Sequence, residues 1–522
     1  MNRPIPPPRQ SGILLHPTSL PGSYGMGEIG REARRWVDAL KEAGQQVWQI
    51  LPLGPTGYGD SPYQSLSTFA GHPFWLGFDD LLEDGLLELA DLQAFPVFYP
   101  LRISFGPVLE ARREVLLRAC SRFRGPRGAK LRAAAESFYR SEAVWLDDFT
   151  LFSALKKEQG GRAWTDWPEE LRRRDPVALA EARRRLRREM DDVRIGQFLF
   201  DRQWRRLRRY AREKGVSLLG DLPFFVAHDS ADVWANPHLF YLDSDGRPTV
   251  VAGVPPDYFS ADGQRWGNPL YRWEVHAADG YAWWIARMRR AFDLADRVRL
   301  DHFRGLEKYW EIPAADATAL NGRWVEGPGA DLLQTLRTAC GGLPLIAEDL
   351  GVITPEVDAL REAFDLPGMK VLHFMFGDDP TAAKAARIPE DTVVYTGTHD
   401  NSTTVGWFTD PPRTDSTLSP ELLAAERDRA LRALGTDGSE IHWDLIRLAF
   451  RAPARLAVIP MQDVLGLGSE ARMNRPGTSQ GNWAWRFTWE QFSPALRDRL
   501  LRLTRETRRE GPARRSRRKG DA

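Results

Sequence analysis

The chain has 522 residues, of which 42% are hydrophobic and 27% are charged. These proportions are typical of a globular protein with a large buried core. The 72 basic and 71 acidic side chains give a formal net charge of only +1, which excludes a global electrostatic attraction to nucleic acid or to an anionic membrane. The sequence contains no run of about 18 apolar residues, so no membrane-spanning helix is expected.

The cysteines and the first residues of the chain indicate a cellular compartment. Cys120 and Cys340 lie far apart in sequence, in apolar helical patterns. Reduced thiols in such positions are typical of cytosolic proteins. The beginning of the chain lacks the apolar segment of a secretory signal. We therefore expect a cytoplasmic protein without a disulfide.

Eight short apolar runs recur along the chain, and several of them end in a polar side chain. Continuous apolar runs of this length are typical of strands that are buried on both faces, as in a parallel sheet. The predicted strands are Gly12–His16, Val47–Pro52, Val216–Asp221, Val298–Asp301, Pro344–Glu348, Met369–Phe374, Thr392–Thr398 and Leu456–Pro460.

Helical patterns lie between most of these runs. The segments in question are Arg31–Gly44, Asp201–Gly215, Tyr281–Asp296, Ala330–Gly341 and Thr354–Phe364. An eightfold alternation of strand and helix predicts an α/β protein with a (β/α)₈ TIM barrel. An open, doubly wound sheet is the alternative.

Four ranges describe the predicted domain organisation. One catalytic barrel occupies residues 1–507. A largely helical insertion at 57–215 separates strands two and three, and a loop-rich insertion at 222–280 covers the cleft. Residues 508–522 carry seven basic and two acidic side chains and are expected to form a disordered tail. Contact of this tail with RNA or with a membrane surface is the alternative.

Acidic side chains lie at the predicted carboxyl ends of four strands. Asp221, Asp301 and Glu348 end their runs, and Asp400 follows the run Thr392–Thr398 closely. Any one of these acids alone fits a capping residue or a surface charge. Strand ends of a closed barrel converge on one mouth, where the active sites of such barrels lie. Paired carboxylates in one pocket indicate glycosidic chemistry, which needs one ionised and one protonated acid.

The neighbours of two acids suggest how their ionisation differs. Arg299 and Asp301 lie on the same face of one strand, and a neighbouring guanidinium favours an ionised acid, as a nucleophile requires. Glu348 ends an apolar strand beside Asp349, so burial and like charge favour a protonated acid suited to proton transfer. An Arg299–Asp301 ion pair that only stabilises the strand end is the alternative.

His302 and His399 flank these acids. Their side chains are candidates for donors to sugar hydroxyls or for metal ligands. The chain has no H-x-x-x-H, C-x-x-C or calcium-loop spacing, so a metal site is not expected.

A combination of motifs extends from about Ser11 to about Phe487, outside the helical middle of the chain and the tail. The motifs are SGILLHPTSLPG from Ser11, LPLGPTGYGDSPYQS from Leu51, GDLPFFVAHDSADVW from Gly220, VVAGVPPDYFSADGQRWGNPLY from Val250, VRLDHFRG from Val298, IAEDLGVITPEV from Ile346, GMKVLHF from Gly368, YTGTHDN from Tyr395 and SQGNWAWR from Ser479. In this combination the sequence resembles amylomaltases, the 4-α-glucanotransferases also called disproportionating enzymes.

The resemblance implies a barrel of the α-amylase type with helical and loop insertions. It implies three catalytic residues, with Asp301 as nucleophile, Glu348 as acid/base and Asp400 as the residue that grips the reacting sugar. Tyr63 resembles a stacking residue near that sugar, and the loop Gly253–Pro269 resembles a flexible loop over the cleft. The implied substrate-binding residues are Arg299, His302, His399, Asp221, Tyr63, Asp257, Tyr258, Phe259, Gln264, Trp266 and Asn482, and Tyr58 resembles a more distant contact.

The implied activity is transfer of an α-1,4-glucan segment to the 4-hydroxyl of another glucan or of glucose. The implied mechanism is a retaining double displacement through a covalent glycosyl-aspartate, which also extends to cyclic glucans. Expected partners are maltooligosaccharides, amylose and other α-1,4-glucans, with no cofactor, metal, nucleic acid or membrane. The alternatives are an α-glucan hydrolase with the same acids, a non-catalytic glucan-binding protein and a nucleic-acid-binding protein.

Two positions depart from the family pattern. Arg475 stands where many relatives have tyrosine, and Ser402 stands where some have aspartate. Neither position is one of the three proposed catalytic acids, so a change in acceptor preference is the expected consequence.

Overall fold

The computed structural model describes residues 9–256, 262–377, 385–411 and 419–511. These residues form strands in two sheets. The strands are β1 (Gln10–Leu14), β2 (Val47–Gln49), β3 (Ser217–Leu222), β4 (Val250–Val254), β5 (Gln264–Pro269), β6 (Arg297–Leu300), β7 (Lys308–Pro313), β8 (Arg323–Glu326), β9 (Leu345–Ala347), β10 (Gly368–Val371), β11 (Thr392–Tyr395) and β12 (Leu456–Pro460).

The larger sheet is the predicted barrel. Its strands pair in parallel in the order β10-β11-β12-β1-β2-β3-β6-β9, which follows the chain around the sheet. The two ends of this order meet where the Ala347 N–H donates to the Pro367 carbonyl over 2.9 Å. Each of the eight predicted apolar runs supplies one of these strands. The predicted barrel is therefore confirmed, and an open doubly wound sheet is excluded.

Helices surround the barrel strands, and apolar side chains such as Ile13, Trp48 and Val458 are buried at 0% exposure. No helix in the described ranges is long and apolar enough to cross a membrane. The helices are α1 (Arg31–Glu42), α2 (Phe78–Glu83), α3 (Leu89–Leu92), α4 (Phe105–Arg124), α5 (Ala129–Ser141), α6 (Ala143–Glu158), α7 (Glu169–Arg172), α8 (Pro176–Arg185), α9 (Arg187–Lys214), α10 (Ala231–Ala235), α11 (Trp273–Ala278), α12 (Ala282–Leu294), α13 (Gly329–Cys340), α14 (Pro355–Ala363), α15 (Thr404–Thr409), α16 (Pro420–Leu434), α17 (Ile441–Arg451), α18 (Met461–Val464) and α19 (Pro494–Glu506).

Helices α2–α9 occupy the chain between β2 and β3, where the sequence predicts a largely helical insertion. The long helix α9 returns the chain to the barrel. It ends at Gly215, whose φ of 84° is a left-handed conformation that glycine adopts without strain. Strand β3 begins two residues later, so this glycine fixes where the third barrel strand starts.

A second, antiparallel sheet lies beside the barrel, with its strands in the order β5-β4-β7-β8. Strands β4 and β5 and helices α10 and α11 all fall within 222–280, where the sequence predicts a loop-rich insertion. Two strands and two short helices therefore interrupt the loops of this segment. Strand β4 pairs with β7, which follows the barrel strand β6 in the chain, so the sheet depends on a non-local pairing.

The described structure stays ordered past residue 508, where the sequence predicts that the disordered tail begins. Arg509 is fully buried. Its guanidinium donates to Phe450 O over 2.7 Å, Ala452 O over 2.7 Å and Gln10 O over 2.9 Å. The first two carbonyls belong to the C-terminal end of α17, where a cation is favourable. Residues 512–522 lie outside the described residues.

We expect the two parts of the predicted tail to differ in their effect on stability. Deleting 512–522 should leave the melting temperature unchanged. Replacing Arg509 with alanine should lower the free energy of unfolding by about 2–4 kcal/mol, because the carbonyls of Phe450, Gln10, Ala449 and Ala452 each lose a donor. Thermal and denaturant unfolding of both variants measure this, and an Arg509→Ala protein as stable as the parent would contradict it.

Candidate active site

Neighbouring barrel strands place two aspartates and one arginine side by side. Asp221 on β3 and Arg299 on β6 are paired in register. Arg299 Nη1 donates to both carboxylate oxygens of Asp221 over 2.9 Å, and its Nη2 lies 2.8 Å from Asp301 Oδ1. Burial lowers the pKa of Arg299, but the Asp221 and Asp301 carboxylates more than offset this and raise that pKa well above its usual value. Arg299 therefore supplies a permanent counter-charge to Asp301.

Accessibility distinguishes the two aspartates that share Arg299. The Asp221 side chain is completely buried, whereas 29% of the Asp301 side chain is exposed. The ion pair between Arg299 and Asp301 anticipated as the structural alternative exists. The ion pair nevertheless leaves the Asp301 carboxylate open to a ligand. A structural contact with Arg299 is therefore compatible with a role of Asp301 as nucleophile.

Glu348 follows β9 and faces the same site. Its carboxylate accepts the backbone N–H of His302 over 2.8 Å and that of Leu350 over 3.0 Å. His302 has a φ of 52°, an uncommon conformation that aims its N–H at Glu348. Burial raises the pKa of Glu348 to about 7, with the Asp301 charge adding to the effect and Arg299 opposing it. Glu348 is therefore poised to hold or release a proton near neutrality.

The like charge that acts on Glu348 is not the one predicted. Asp349, the expected neighbour, accepts the Met369 N–H over 2.6 Å and lies 3.5 Å from Arg361. These contacts belong to β10 and to α14, not to the Glu348 carboxylate. The like charge comes instead from Asp301 on the neighbouring strand.

Asp400 lies in the loop after β11, and three residues fix its orientation. Its Oδ2 lies 3.3 Å from His399 Nε2, and its Oδ1 accepts Asn474 Nδ2 over 2.6 Å. Arg472 donates to its backbone carbonyl. Burial raises the pKa of Asp400, but the interactions with His399 and Asn474 outweigh this effect. The pKa of Asp400 therefore lies well below its usual range. The side chain stays 46% exposed, so an ionised carboxylate is available to a ligand.

Aromatic rings line the site next to these acids. The Tyr63 hydroxyl donates to Asp221 Oδ2 over 2.9 Å, and its ring stacks on His399 with centroids 5.0 Å apart. Trp483 packs against both rings at 5.8 and 5.9 Å. Partly buried Tyr63 thus connects the Arg299 cluster to the His399–Asp400 pair.

The second sheet supplies another aromatic wall. Trp266 on β5 meets the ring of His302 edge-on, with centroids 4.8 Å apart, and its Nε1 donates to Gln264 Oε1 over 3.2 Å. Burial lowers the pKa of His302 to about 4, so its imidazole is neutral. Its Nε2 is buried and has no hydrogen-bond partner within the described part of the chain.

Four further residues are predicted to bind the substrate, and the structure describes only one of them, Asn482. Asp257, Tyr258 and Phe259 lie outside the described residues. The Asn482 side chain is 9% exposed and binds Arg475 N and Thr478 O, each over 2.9 Å. Its hydrogen bonds are thus internal to its own loop, and its contact with a glucan stays a prediction.

Sequence reasoning missed Asn474, Arg472 and Trp483, which contact Asp400, His399 and Tyr63. All three lie in the loops after β12, far in sequence from Tyr63, His399 and Asp400. The sequence gives no signal of the direction in which a polar side chain of a loop points, although the motif that contains Trp483 and the departure at Arg475 both lie in this segment. Across the described ranges, no group of three or more histidine, cysteine, aspartate or glutamate side chains is arranged to hold a metal ion.

A family model described as 4-alpha-glucanotransferase matches residues 15–491. The chain belongs to the 4-alpha-glucanotransferase family. It is 49% identical to a 4-alpha-glucanotransferase from Thermus thermophilus, over 96% of this chain and 99% of that protein. It is 46% identical to one from Aquifex aeolicus, over 92% of this chain and 95% of that protein.

A solved structure extends the similarity to the fold. An amylomaltase from Streptococcus agalactiae, in complex with acarbose, superposes with a TM-score of 0.90 at 36% identity, covering 97% of this chain and all of that chain. The part of the chain matched by the 4-alpha-glucanotransferase model contains every predicted site residue, whereas the basic tail lies beyond it.

Proposed function

We propose that this protein is a 4-alpha-glucanotransferase that moves α-1,4-glucan segments to the 4-hydroxyl of another glucan or of glucose. One observation carries the proposal. Two carboxyl groups of one site, Asp301 and Glu348, lie in opposite electrostatic surroundings. Asp301 is paired with a permanently charged arginine, and the pKa of Glu348 is raised to about 7. Glycosidic transfer needs one ionised and one protonated carboxyl group.

The first half of the reaction uses both acids at once. Glu348 protonates the glycosidic oxygen while Asp301 attacks the anomeric carbon. The bond to the leaving glucan breaks, and a covalent glycosyl-aspartate forms with inversion at that carbon. Asp400, ionised and held by His399 and Asn474, grips ring hydroxyls more tightly in the distorted transition state than in the ground state.

The second half reverses these roles. Glu348 takes the proton of an incoming 4-hydroxyl, whose oxygen displaces Asp301 with a second inversion, so the new bond keeps the α configuration. A 4-hydroxyl at the far end of the same chain closes a cyclic glucan. No step requires a cofactor.

Transfer exceeds hydrolysis only when water is kept from the intermediate. Trp266 packs against His302 at the site, and Asp257, Tyr258 and Phe259 lie a few residues before it in the sequence. We propose that the aromatic side chains of Tyr258, Phe259 and Trp266 cover the intermediate and stack the acceptor sugar, since closure over a site excludes water. We also propose that the protein acts in the cytoplasm, because Cys120 and Cys340 are free thiols.

Incubation with maltotriose tests the proposed function. Transfer converts the trisaccharide into glucose and maltooligosaccharides longer than the substrate, with no net gain of reducing ends. Chromatography of the products together with a reducing-end assay measures both quantities. Steady release of reducing ends without longer products identifies a hydrolase, and no change in the substrate identifies a glucan-binding protein.

A further inference from the structure

Asp463, on the short helix α18 that follows β12, is a buried carboxylate outside the substrate site. Its exposure is 1%. Its Oδ1 accepts the Thr404 N–H over 2.7 Å, and its Oδ2 accepts the hydroxyl of Thr404 over 2.7 Å and that of Thr396. Burial raises the pKa of Asp463, and these three donors, which favour the ionised form, oppose that rise.

The two threonines are the two ends of one loop. Thr396 comes directly after β11, and Thr404 begins α15. His399 and Asp400 lie between them. A single carboxylate therefore holds both ends of the loop that presents Asp400 to the site, while Asn474 and Arg472 hold its middle.

His373 adds a fourth component to this arrangement. Its Nε2 lies 3.0 Å from Thr404 Oγ1, and its ring stacks on Trp407 with centroids 5.0 Å apart. The hydroxyl hydrogen of Thr404 is directed at Asp463, so the hydroxyl oxygen accepts from His373. Burial lowers the pKa of His373 to about 3, which keeps the ring neutral with the proton on Nε2. The network therefore links the ends of β10, β11 and β12.

We infer that Asp463 is a positioning residue for glucan transfer, which sets the loop 396–404 so that His399 and Asp400 face the reacting sugar. The inference rests on the proposed function. Asp463 itself does not touch the substrate; it acts through Thr396 and Thr404. Small displacements of a group that contacts the transition state are costly, since about 1 Å is enough to lower a rate about a hundredfold.

Asp463→Asn tests the inference because it preserves the size of the side chain. An asparagine keeps one acceptor oxygen and presents N–H donors to partners that are themselves donors. The value of kcat for maltotriose disproportionation should fall about tenfold or more while KM changes less than about threefold, the pattern of a lost transition-state interaction. Asp444→Asn is the matched control. Asp444, on α17, also accepts a threonine hydroxyl, that of Thr436, over 2.7 Å, and its variant should keep kcat.

Two substitutions of Thr404 provide a second test should Asp463→Asn fail to fold. Thr404→Ser keeps the hydroxyl and should retain kcat within about twofold, whereas Thr404→Val removes it and should lower kcat at least about fivefold. Folded Asp463→Asn and Thr404→Val proteins with the parent kcat would overturn the inference and leave the proposed function intact. A parent protein that makes no longer maltooligosaccharides would overturn the proposed function itself.

Discussion

Asp301→Asn is expected to abolish glucan transfer and to leave the fold and glucan binding intact. The amide cannot attack an anomeric carbon, so kcat should fall by at least about a thousandfold. The amide still fits beside Arg299, whose Nη1 remains bonded to both oxygens of Asp221. Product chromatography measures the loss of transfer, and calorimetric titration with maltotriose measures the retained binding.

The same variant should also change the pH dependence of any residual activity. The Asp301 charge contributes to the raised pKa of Glu348. Removing that charge lowers this pKa, so Glu348 loses its proton at a lower pH than in the parent protein. The pH at which residual kcat/KM falls on the alkaline side should therefore move down, which a variant altered only in fold would not show.

The barrel strand that carries Asp301 offers a matched control. Asp296 immediately precedes β6, and Asp301 immediately follows it. Asp296 accepts the Leu218 N–H over 2.9 Å and pairs with Arg208 and Arg212, at the end of the strand opposite the site. Asp296→Asn should lower the melting temperature and keep kcat. If Asp301→Asn keeps more than about a tenth of the parent kcat, Asp301 is not the nucleophile and its contact with Arg299 is structural.

The barrel could be predicted from the sequence because its signal is local. A strand covered on both faces must be apolar along its whole length, as in Leu456–Pro460, and such runs stand out from the helical patterns between them. The convergence of Asp221, Asp301 and Glu348 then follows from closure alone, because all three lie at carboxyl ends of neighbouring strands. The ion pair between Arg299 and Asp301 follows from the alternation of side chains along β6.

The second sheet could not be predicted because its signal is not local. Strands β4 and β5 precede β6 in the chain, whereas β7, which pairs with β4, and β8 follow it. The register between Val251 and Ile312 depends on how the barrel brings these segments together. Each strand is also short and only partly buried, so its composition resembles that of an ordered loop.

Side-chain direction explains the errors inside the site. Glu348 and Asp349 come directly after a strand, and their carboxylates point to different sides, that of Asp349 towards Met369 and Arg361, so Asp349 does not supply the like charge on Glu348. Asn474 is oriented by Arg472, whose Nε donates to its carbonyl over 2.6 Å in a loop. Loop geometry of this kind depends on the packed structure, and the sequence pattern does not contain it.

Glu348→Gln is expected to show a loss of transfer that depends on the leaving group. With maltotriose, the glycosidic oxygen needs a proton, so kcat/KM should fall by about a thousandfold, which is within the usual contribution of general acid catalysis. With maltosyl fluoride, the leaving fluoride needs no proton, so the first step should proceed at a rate close to that of the parent. Fluoride release and product chromatography measure the two substrates separately.

The pH dependence of kcat/KM is a second test of Glu348 as the proton donor. The pKa of Glu348 is raised to about 7, so the protonated form that the first step requires predominates below that pH. In the parent protein, kcat/KM for maltotriose should therefore fall as pH rises through about 7. Glutamine does not titrate, so this alkaline limb should disappear in the variant.

Glu28→Gln separates the loss of a proton donor from the loss of a buried carboxyl group. Burial also raises the pKa of Glu28, but its carboxylate binds Arg112 over 2.8 Å and not a site residue. Its variant should keep both kcat/KM and the alkaline limb. If Glu348→Gln lowers kcat/KM equally for maltotriose and for maltosyl fluoride, Glu348 does not protonate the leaving oxygen. Only a proton donor would affect a sugar leaving group and spare a fluoride leaving group. The raised pKa would then reflect burial alone.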